Sequence, residues 1–319
     1  MITRSAFRPA WWLPGPHLQT LYPSLFRSRK IPPLSRERIE LPDGDFVDLD
    51  WTSQTDGLCV LILHGLEGSI DSHYTGGMLS ALAAQGHTAG LMYFRGCSGT
   101  ENRLPRSYHS GDTGDLDFVM QHIIRLHPDR KIAVIAYSLG GNVLLKWLGE
   151  QGDQATPVTA VTLSVPFDLN SAALRLEQGM SKIYQQHLLQ SLRESVRMKS
   201  SIHAMPFPTE RLEELRTFRD FDHTITAPLH GFAGVDDYYE QSSSKPFLKH
   251  IRIPTLMLQS RDDPFLPENA LPAETDLSDT VTLELSRQGG HVGFISGRNP
   301  LQPVYWSEQR VLQHLSTFA

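Results

Sequence analysis

The chain has 319 residues, with 29 Lys and Arg against 35 Asp and Glu and a formal charge of −6. That length allows two average domains, or one large α/β domain carrying an insertion. The acidic balance argues against a nucleic-acid partner, which needs a basic stripe. With 40% hydrophobic and 20% charged residues, the composition is that of a folded protein rather than a disordered one.

Cys59 and Cys97 are the only cysteines. They make no disulfide framework and lack metal-ligand spacing, which points to a reducing, cytoplasmic setting. No apolar run is long enough for a transmembrane helix. Ala10-Trp11-Trp12-Leu13 is cut short by Pro14 and makes no signal segment. Trp11 and Trp12 read as packing residues of an N-terminal arm, with peripheral membrane contact as their alternative use.

Residues 1–35, rich in Pro, Trp and Arg, read as an irregular arm. Residues 36–52 alternate apolar and polar around Asp43-Gly44, a hairpin signal. Buried strands are expected over 58–63, 88–94, 131–136 and 158–165, where short apolar runs end in turn residues. Helices are expected between them over 78–84 and 115–127, the second with Asp115 as N-cap, and again after residue 138. Strand alternating with helix implies a mostly parallel sheet. From 167 to 250 the strand texture stops. Met180, Ile183, Tyr184, Leu188, Leu192 and Val196 instead fall at helical steps. Strands resume over 253–258 and 280–285, and an amphipathic helix closes the chain near 304–315. The expected organisation is therefore an arm (1–35), a core (36–166 and 251–319) and an inserted helical cap (167–250).

The chemically informative segment is Lys131-Ile-Ala-Val-Ile-Ala-Tyr-Ser138-Leu-Gly140-Gly141-Asn142. A strand runs into a small-x-Ser-x-Gly turn, and a helix begins at once. The tightness of such a turn demands small residues two before and two after the serine. Ala136 stands where glycine is usual. The helix start aims N–H groups and its positive dipole end at the serine, which suits a developing oxyanion. The structural alternative is a serine that merely caps a helix.

A serine hydroxyl needs a histidine to take its proton, and the histidine needs an acid to hold its tautomer. Downstream, Arg261-Asp262-Asp263-Pro264 follows one expected strand and Gly289-Gly290-His291-Val292-Gly293 follows the last. Both loops leave the C-terminal edge of the sheet, beside the serine. Asp263 is the preferred acid, with Asp262 as a turn residue and Asp168 as a third candidate. His64-Gly65-Leu66 ends the first buried strand, so the N–H groups of Leu66 and Leu139 are the expected oxyanion donors, with His64 bracing the turn. His314, in the terminal helix, is poorly placed for a base. Arg95 to Gly99 lacks the lysine and spacing of a phosphate-binding loop and reads as structural. His109, Asp112 and Asp115 read as capping and loop residues rather than metal ligands. No metal or organic cofactor is expected.

These blocks resemble the α/β-hydrolase superfamily, and within it the YheT-like hydrolases, related to the ABHD1/2/3 group of eukaryotes. The resemblance spans almost the whole chain. It rests on Pro16-His17-Leu18-Gln19-Thr20, His64-Gly65-Leu66-Glu67-Gly68, Phe94-Arg95-Gly96-Cys97-Ser98-Gly99 and Tyr108-His109-Ser110-Gly111-Asp112-Thr113. It continues in Ser138-Leu139-Gly140-Gly141-Asn142, Asp262-Asp263-Pro264-Phe265 and Gly289-Gly290-His291-Val292-Gly293-Phe294. The resemblance implies an α/β-hydrolase fold with Ser138, Asp263 and His291 as the triad, and hydrolysis of carboxylic esters, with lipid-type esters as substrates of some members. A thioesterase, lysophospholipase or C–C bond hydrolase would use the same residues, and a non-catalytic ligand-binding protein is the rival from another class.

Overall fold

A computed structural model describes residues 1–28, 30–207 and 209–319. Its centre is a sheet of nine strands: β1 (Ile2–Arg4), β2 (Ser35–Glu40), β3 (Phe46–Trp51), β4 (Cys59–Leu63), β5 (Thr88–Met92), β6 (Ile132–Tyr137), β7 (Thr159–Leu163), β8 (Thr255–Ser260) and β9 (Val281–Ser286). Their spatial order is β1-β9-β8-β7-β6-β4-β5-β3-β2. The strands from β1 to β5 in that order pair in parallel, while β3 and β2 add an antiparallel edge. This is an α/β-hydrolase arrangement. The Asp43-Gly44 turn joins β2 to β3, with Gly44 at φ +86°, a left-handed conformation that glycine adopts without steric cost.

Alternation along the central strands builds two cores. Leu61, Leu63, Val134 and Ala136 face Leu116 and Val119 of α3 (Thr113–Leu126) and Val143 and Leu144 of α4 (Leu139–Gln151). Val60, Ile62, Ala133 and Ile135 face Met78, Leu79 and Leu82 of α2 (Thr75–Ala84), together with Val311 and Leu315 of the terminal helix Trp306–Leu315. Both faces of each strand are covered by helices, so the strands read as unbroken apolar runs in the sequence.

The first 35 residues are more ordered than the sequence suggests. β1 adds to the far edge of the sheet, held by the N-terminal ammonium on the Val281 carbonyl (2.8 Å) and by Leu283 N–H on the Met1 carbonyl (2.9 Å). Residues Pro16–Phe26 form helix α1. Trp12 packs edge-on against Tyr22, whereas Trp11 is exposed. Between β7 and β8 lie α5 (Leu169–Leu176), α6 (Ser181–Ser200), several short helical turns and the helix Val235–Ser242. These helices share a core of their own around Leu189, Phe221, Ile225 and Tyr238.

Asp115 does not cap its helix. α3 starts at Thr113 after Asp112, and the Asp115 carboxylate instead takes both Nε and Nη2 of Arg95 at 2.7 Å. Arg95 also meets Asp43 at 2.8 Å and Asp45 at 3.2 Å. One buried guanidinium thus ties the loop after β5 to the β2–β3 turn and to α3. His109 accepts from the Gly111 N–H (3.2 Å), and the Asp112 carboxylate binds Arg106 (2.7 Å).

Removing one member of a buried ion cluster strands the others, so Arg95→Ala is expected to lower stability by about 3–5 kcal/mol in urea unfolding. Burial also pushes six histidines down, among them His64 and His314 to about 4 and His109 and His230 to about 3. As pH falls through the ordinary histidine value of 6.5, the unfolded chain takes up protons that the folded chain refuses. Their neutral burial thus stabilises the fold fully above that value, and the contribution is lost progressively toward pH 3. Urea midpoints measured across that interval are expected to fall steeply on the acid side.

Candidate active site

Ser138 sits at the junction of β6 and α4 with φ +50° and ψ −119°. Its N–H donates to the Leu163 carbonyl (2.9 Å), which hangs the turn from the neighbouring strand β7. The helix behind it packs too closely for side chains. A Cβ on Gly140 would lie 2.4 Å from the His64 carbonyl oxygen, and one on Gly141 would lie 2.6 Å from Val165 Cγ2. Ala136 causes no strain, because it is still within β6 and the left-handed conformation falls on Ser138 alone in this turn.

The three residues expected to work together are brought together. His291 Nε2 lies 2.9 Å from Ser138 Oγ, and His291 Nδ1 lies 3.0 and 3.1 Å from the two oxygens of Asp263. A proton on Nδ1, donated to the carboxylate, leaves Nε2 as an acceptor for the serine hydroxyl. Asp263 is buried and fixed twice more, accepting from Gln259 Nε2 (3.1 Å) and from the Phe265 N–H (2.8 Å). The Phe265 ring lies flat on the imidazole, with centroids 3.9 Å apart and planes 12° from parallel.

The other two aspartates have different duties. Asp262 does not bond its own turn as expected. It accepts from the Gly290 N–H (3.0 Å) and so couples the acid loop to the histidine loop. Asp168 caps α5, accepting from the Ser171 N–H (2.8 Å). His64 braces its turn: Nε2 accepts from the Phe94 N–H (3.1 Å), so Nδ1 carries the proton that goes to the Gly65 carbonyl (2.7 Å). His314 is paired with Thr159 Oγ1 at 2.8 Å, far from the serine in the chain's layout.

Leu66 and Leu139 line the cavity beside Ser138. Leu139 is the first residue of α4, where N–H groups lack intrahelical acceptors. The turn carrying Leu66 is clamped on both sides: Gly65 N–H donates to Tyr74 Oη and Glu67 N–H to Tyr108 Oη, each at 2.8 Å. Glu67 in turn accepts from Ser195 Oγ of α6, which links this turn to the helices between β7 and β8.

Sequence reasoning gave no role to Gln19 and Thr20 of α1. Thr20 Oγ1 accepts from the His291 N–H (2.9 Å) while donating to the Pro16 carbonyl (2.8 Å). The Gln19 amide bonds Ile295 through both its ends, at 2.7 and 3.0 Å. α1 is pressed so tightly on this loop that a Cβ on Gly290 would meet the Pro16 carbonyl at 2.5 Å. The only sequence signal for this contact was the family block around Gln19, which carries no local hint of its distant partner.

The site opens into a cavity of about 620 Å³. Its apolar walls come from Ala172, Leu176, Ile183 and Leu188 of α5 and α6 and Leu21 and Leu25 of α1, with Glu67, Asp71, His73, His187 and Asp222 adding polar groups around Ser138 and His291. A smaller cavity of about 100 Å³ lies on the other side of Leu66 and Leu139. Asp222 lines both, and its burial pushes its carboxyl up to about 6. Among the described residues no cluster of three or more metal-ligating side chains is found.

Comparison with known proteins identifies the family. Residues 59–298 match the family model of the alpha/beta hydrolase fold. The chain is 39% identical over 309 residues to "Putative esterase YheT" of Escherichia coli (strain K12), covering 95% of this chain and 90% of that one. It is 29% identical to human "Phospholipase ABHD3", over 96% of this chain and 77% of the relative. Yeast "Monoacylglycerol lipase" is 29% identical across 75% of this chain and 55% of its own length. The Pyrococcus furiosus esterase Pf2001 superimposes with a TM-score of 0.60 at 16% identity, over 89% of this chain and 90% of that one, a likeness of fold. The chain belongs to the α/β-hydrolase family, in its YheT-like branch.

Proposed function

We propose that this hydrolase cleaves carboxylic esters with a substantial acyl chain through Ser138, His291 and Asp263. The observation that carries the reading is the hydrogen-bonded run Ser138 Oγ–His291–Asp263 opening onto an apolar cavity of about 620 Å³. That volume is in the range of small-molecule sites. Relatives named as an esterase, a phospholipase and a monoacylglycerol lipase support ester cleavage as the reaction.

In this mechanism Ser138 Oγ attacks the ester carbonyl carbon as its proton passes to His291 Nε2. The carbonyl oxygen becomes an oxyanion, received by the N–H groups of Leu66 and Leu139. Asp263 stabilises the imidazolium by accepting from Nδ1. The tetrahedral intermediate collapses, the C–O bond to the alcohol breaks, and His291 returns the proton to the leaving oxygen. Water then attacks the acyl-enzyme, giving its proton to His291, and release of the acid restores the Ser138 hydroxyl. No step needs a metal or organic cofactor. Residues 167–250 act as the cap that shapes the acyl site over a core of 36–166 and 251–319, and Thr20 acts as a positioning residue for His291.

Turnover of p-nitrophenyl esters should rise with acyl length from acetate through octanoate. No hydrolysis of any ester or thioester in that series would contradict the reading. Asp263→Asn should lower kcat by roughly 10³–10⁴-fold with an unchanged circular dichroism spectrum. Thr20 also borders the cavity, and Thr20→Val keeps its volume while removing the acceptor of the His291 N–H, so it should lower kcat by about 10- to 100-fold while KM changes little. An equal loss in 1/KM would place Thr20 in substrate binding instead.

A further inference from the structure

Most large apolar side chains on a monomeric surface are scattered, and a continuous group marks a contact site. Here such a group surrounds the entrance to the cavity. α1 carries no Asp, Glu, Lys or Arg from Pro16 to Phe26, and it points Leu18, Leu21, Leu25 and Phe26 outward, the last two 68% and 70% exposed. Their spacing places them on one arc of the helix. Across the entrance, Met180 just before α6 is 54% exposed and Ile183 in its first turn is 60% exposed.

Leu21, Leu25 and Ile183 have a double position. They are exposed to solvent and they also line the cavity that holds Ser138. These three side chains therefore join the outer apolar surface of α1 and α6 to the cavity that holds the serine. The two rims are fixed to each other, His17 Nδ1 of α1 lying 3.0 Å from Tyr184 Oη of α6, with the rings stacked. Lys30, a few residues beyond the end of α1, and Lys182, in the first turn of α6, are exposed, and lysines bordering an apolar face can reach past it toward polar headgroups.

We propose that this rim docks on a lipid surface and takes ester substrate directly from it into the cavity. A helix lying in the plane of a membrane interface has this form, with an apolar arc buried among acyl chains and basic residues at its border. A protein seated on the same rim would cover the entrance to the cavity. A lipid surface covers it and supplies an acyl chain at the same place. The contact is made by α1 and the start of α6; of the two tryptophans the sequence offered for this role, Trp12 is packed on Tyr22 with its Nε1 donating to the Gly297 carbonyl, while Trp11 is exposed with its Nε1 on the Arg298 carbonyl. The proposal rests on the ester-hydrolase reading for what enters the cavity, and on the rim alone for binding.

The test is flotation of the full chain with sonicated phosphatidylcholine vesicles, compared with a Phe26→Glu/Met180→Glu variant. Neither residue lines the cavity. The wild-type chain should float with vesicles, and the variant should lose about tenfold of that binding. Hydrolysis of dissolved p-nitrophenyl acetate should be equal in both, while release of oleate from monooleoylglycerol in the vesicles should fall about tenfold in the variant. A Phe26→Ser/Met180→Ser variant with intermediate loss guards against a folding artefact. Wild-type chain that stays unbound would overturn the proposal, as would equal flotation of the variant. So would a concentration-dependent dimer that the variant abolishes without any vesicle binding, since the rim would then be a self-association face. Flotation without hydrolysis of any ester would leave docking intact and count against the hydrolase reading alone.

Discussion

The site depends on one backbone constraint, the left-handed conformation of Ser138 between β6 and α4. A non-glycine residue there costs on the order of 1–3 kcal/mol and persists only where its surroundings leave no alternative. Those surroundings are visible: the N–H is tied to Leu163, Gly140 lies against the His64 carbonyl, and Gly141 lies against Val165. The result is a hydroxyl lifted clear of the sheet at the start of a helix, where backbone N–H groups and the helix dipole favour negative charge. A relaxed turn would sink the side chain toward the strand and break the 2.9 Å contact with His291.

The partners of the serine are held by contacts that cross great distances in sequence. β1 and α1, at the start of the chain, pack on β9 and on the loop that follows it. Val292 and Phe294, immediately after His291, are themselves at φ +51° and +50°. Val292 N–H donates to Ser164 Oγ, and Ser164 is left-handed as well, at +53°. Among the described residues, four of the five non-glycine residues with positive φ lie in these three segments and the fifth, Glu67, lies in the turn that carries Leu66, which fits a site whose geometry is set before substrate arrives. Asp262 and Phe265 complete the frame from the acid loop, one bonding the Gly290 N–H and the other covering the ring face.

Much of this was legible in the residues. The buried strands announced themselves because helices cover both sheet faces, and the hairpin because Asp43-Gly44 suits a tight turn. Ser138, Asp263 and His291 could be chosen from their order and from the loops they occupy. What could not be read were contacts between remote segments. β1 has three residues and pairs with β9 near the other end of the chain, so no local pattern reports it. α1 keeps an apolar face exposed and contains Pro23, the reverse of what marks a helix packed on a core. Asp115 looked like a cap because the sequence shows the helix start but not the buried Arg95 that claims the carboxylate.

The central claim is that the Ser138 hydroxyl is activated in the folded chain, and its most direct test is covalent capture. A fluorophosphonate probe, followed by peptide mass mapping, should place one adduct on Ser138, formed in the native protein and absent after urea unfolding or in Ser138→Ala. A native chain that remains unlabelled, or is labelled at a different residue, would contradict the account.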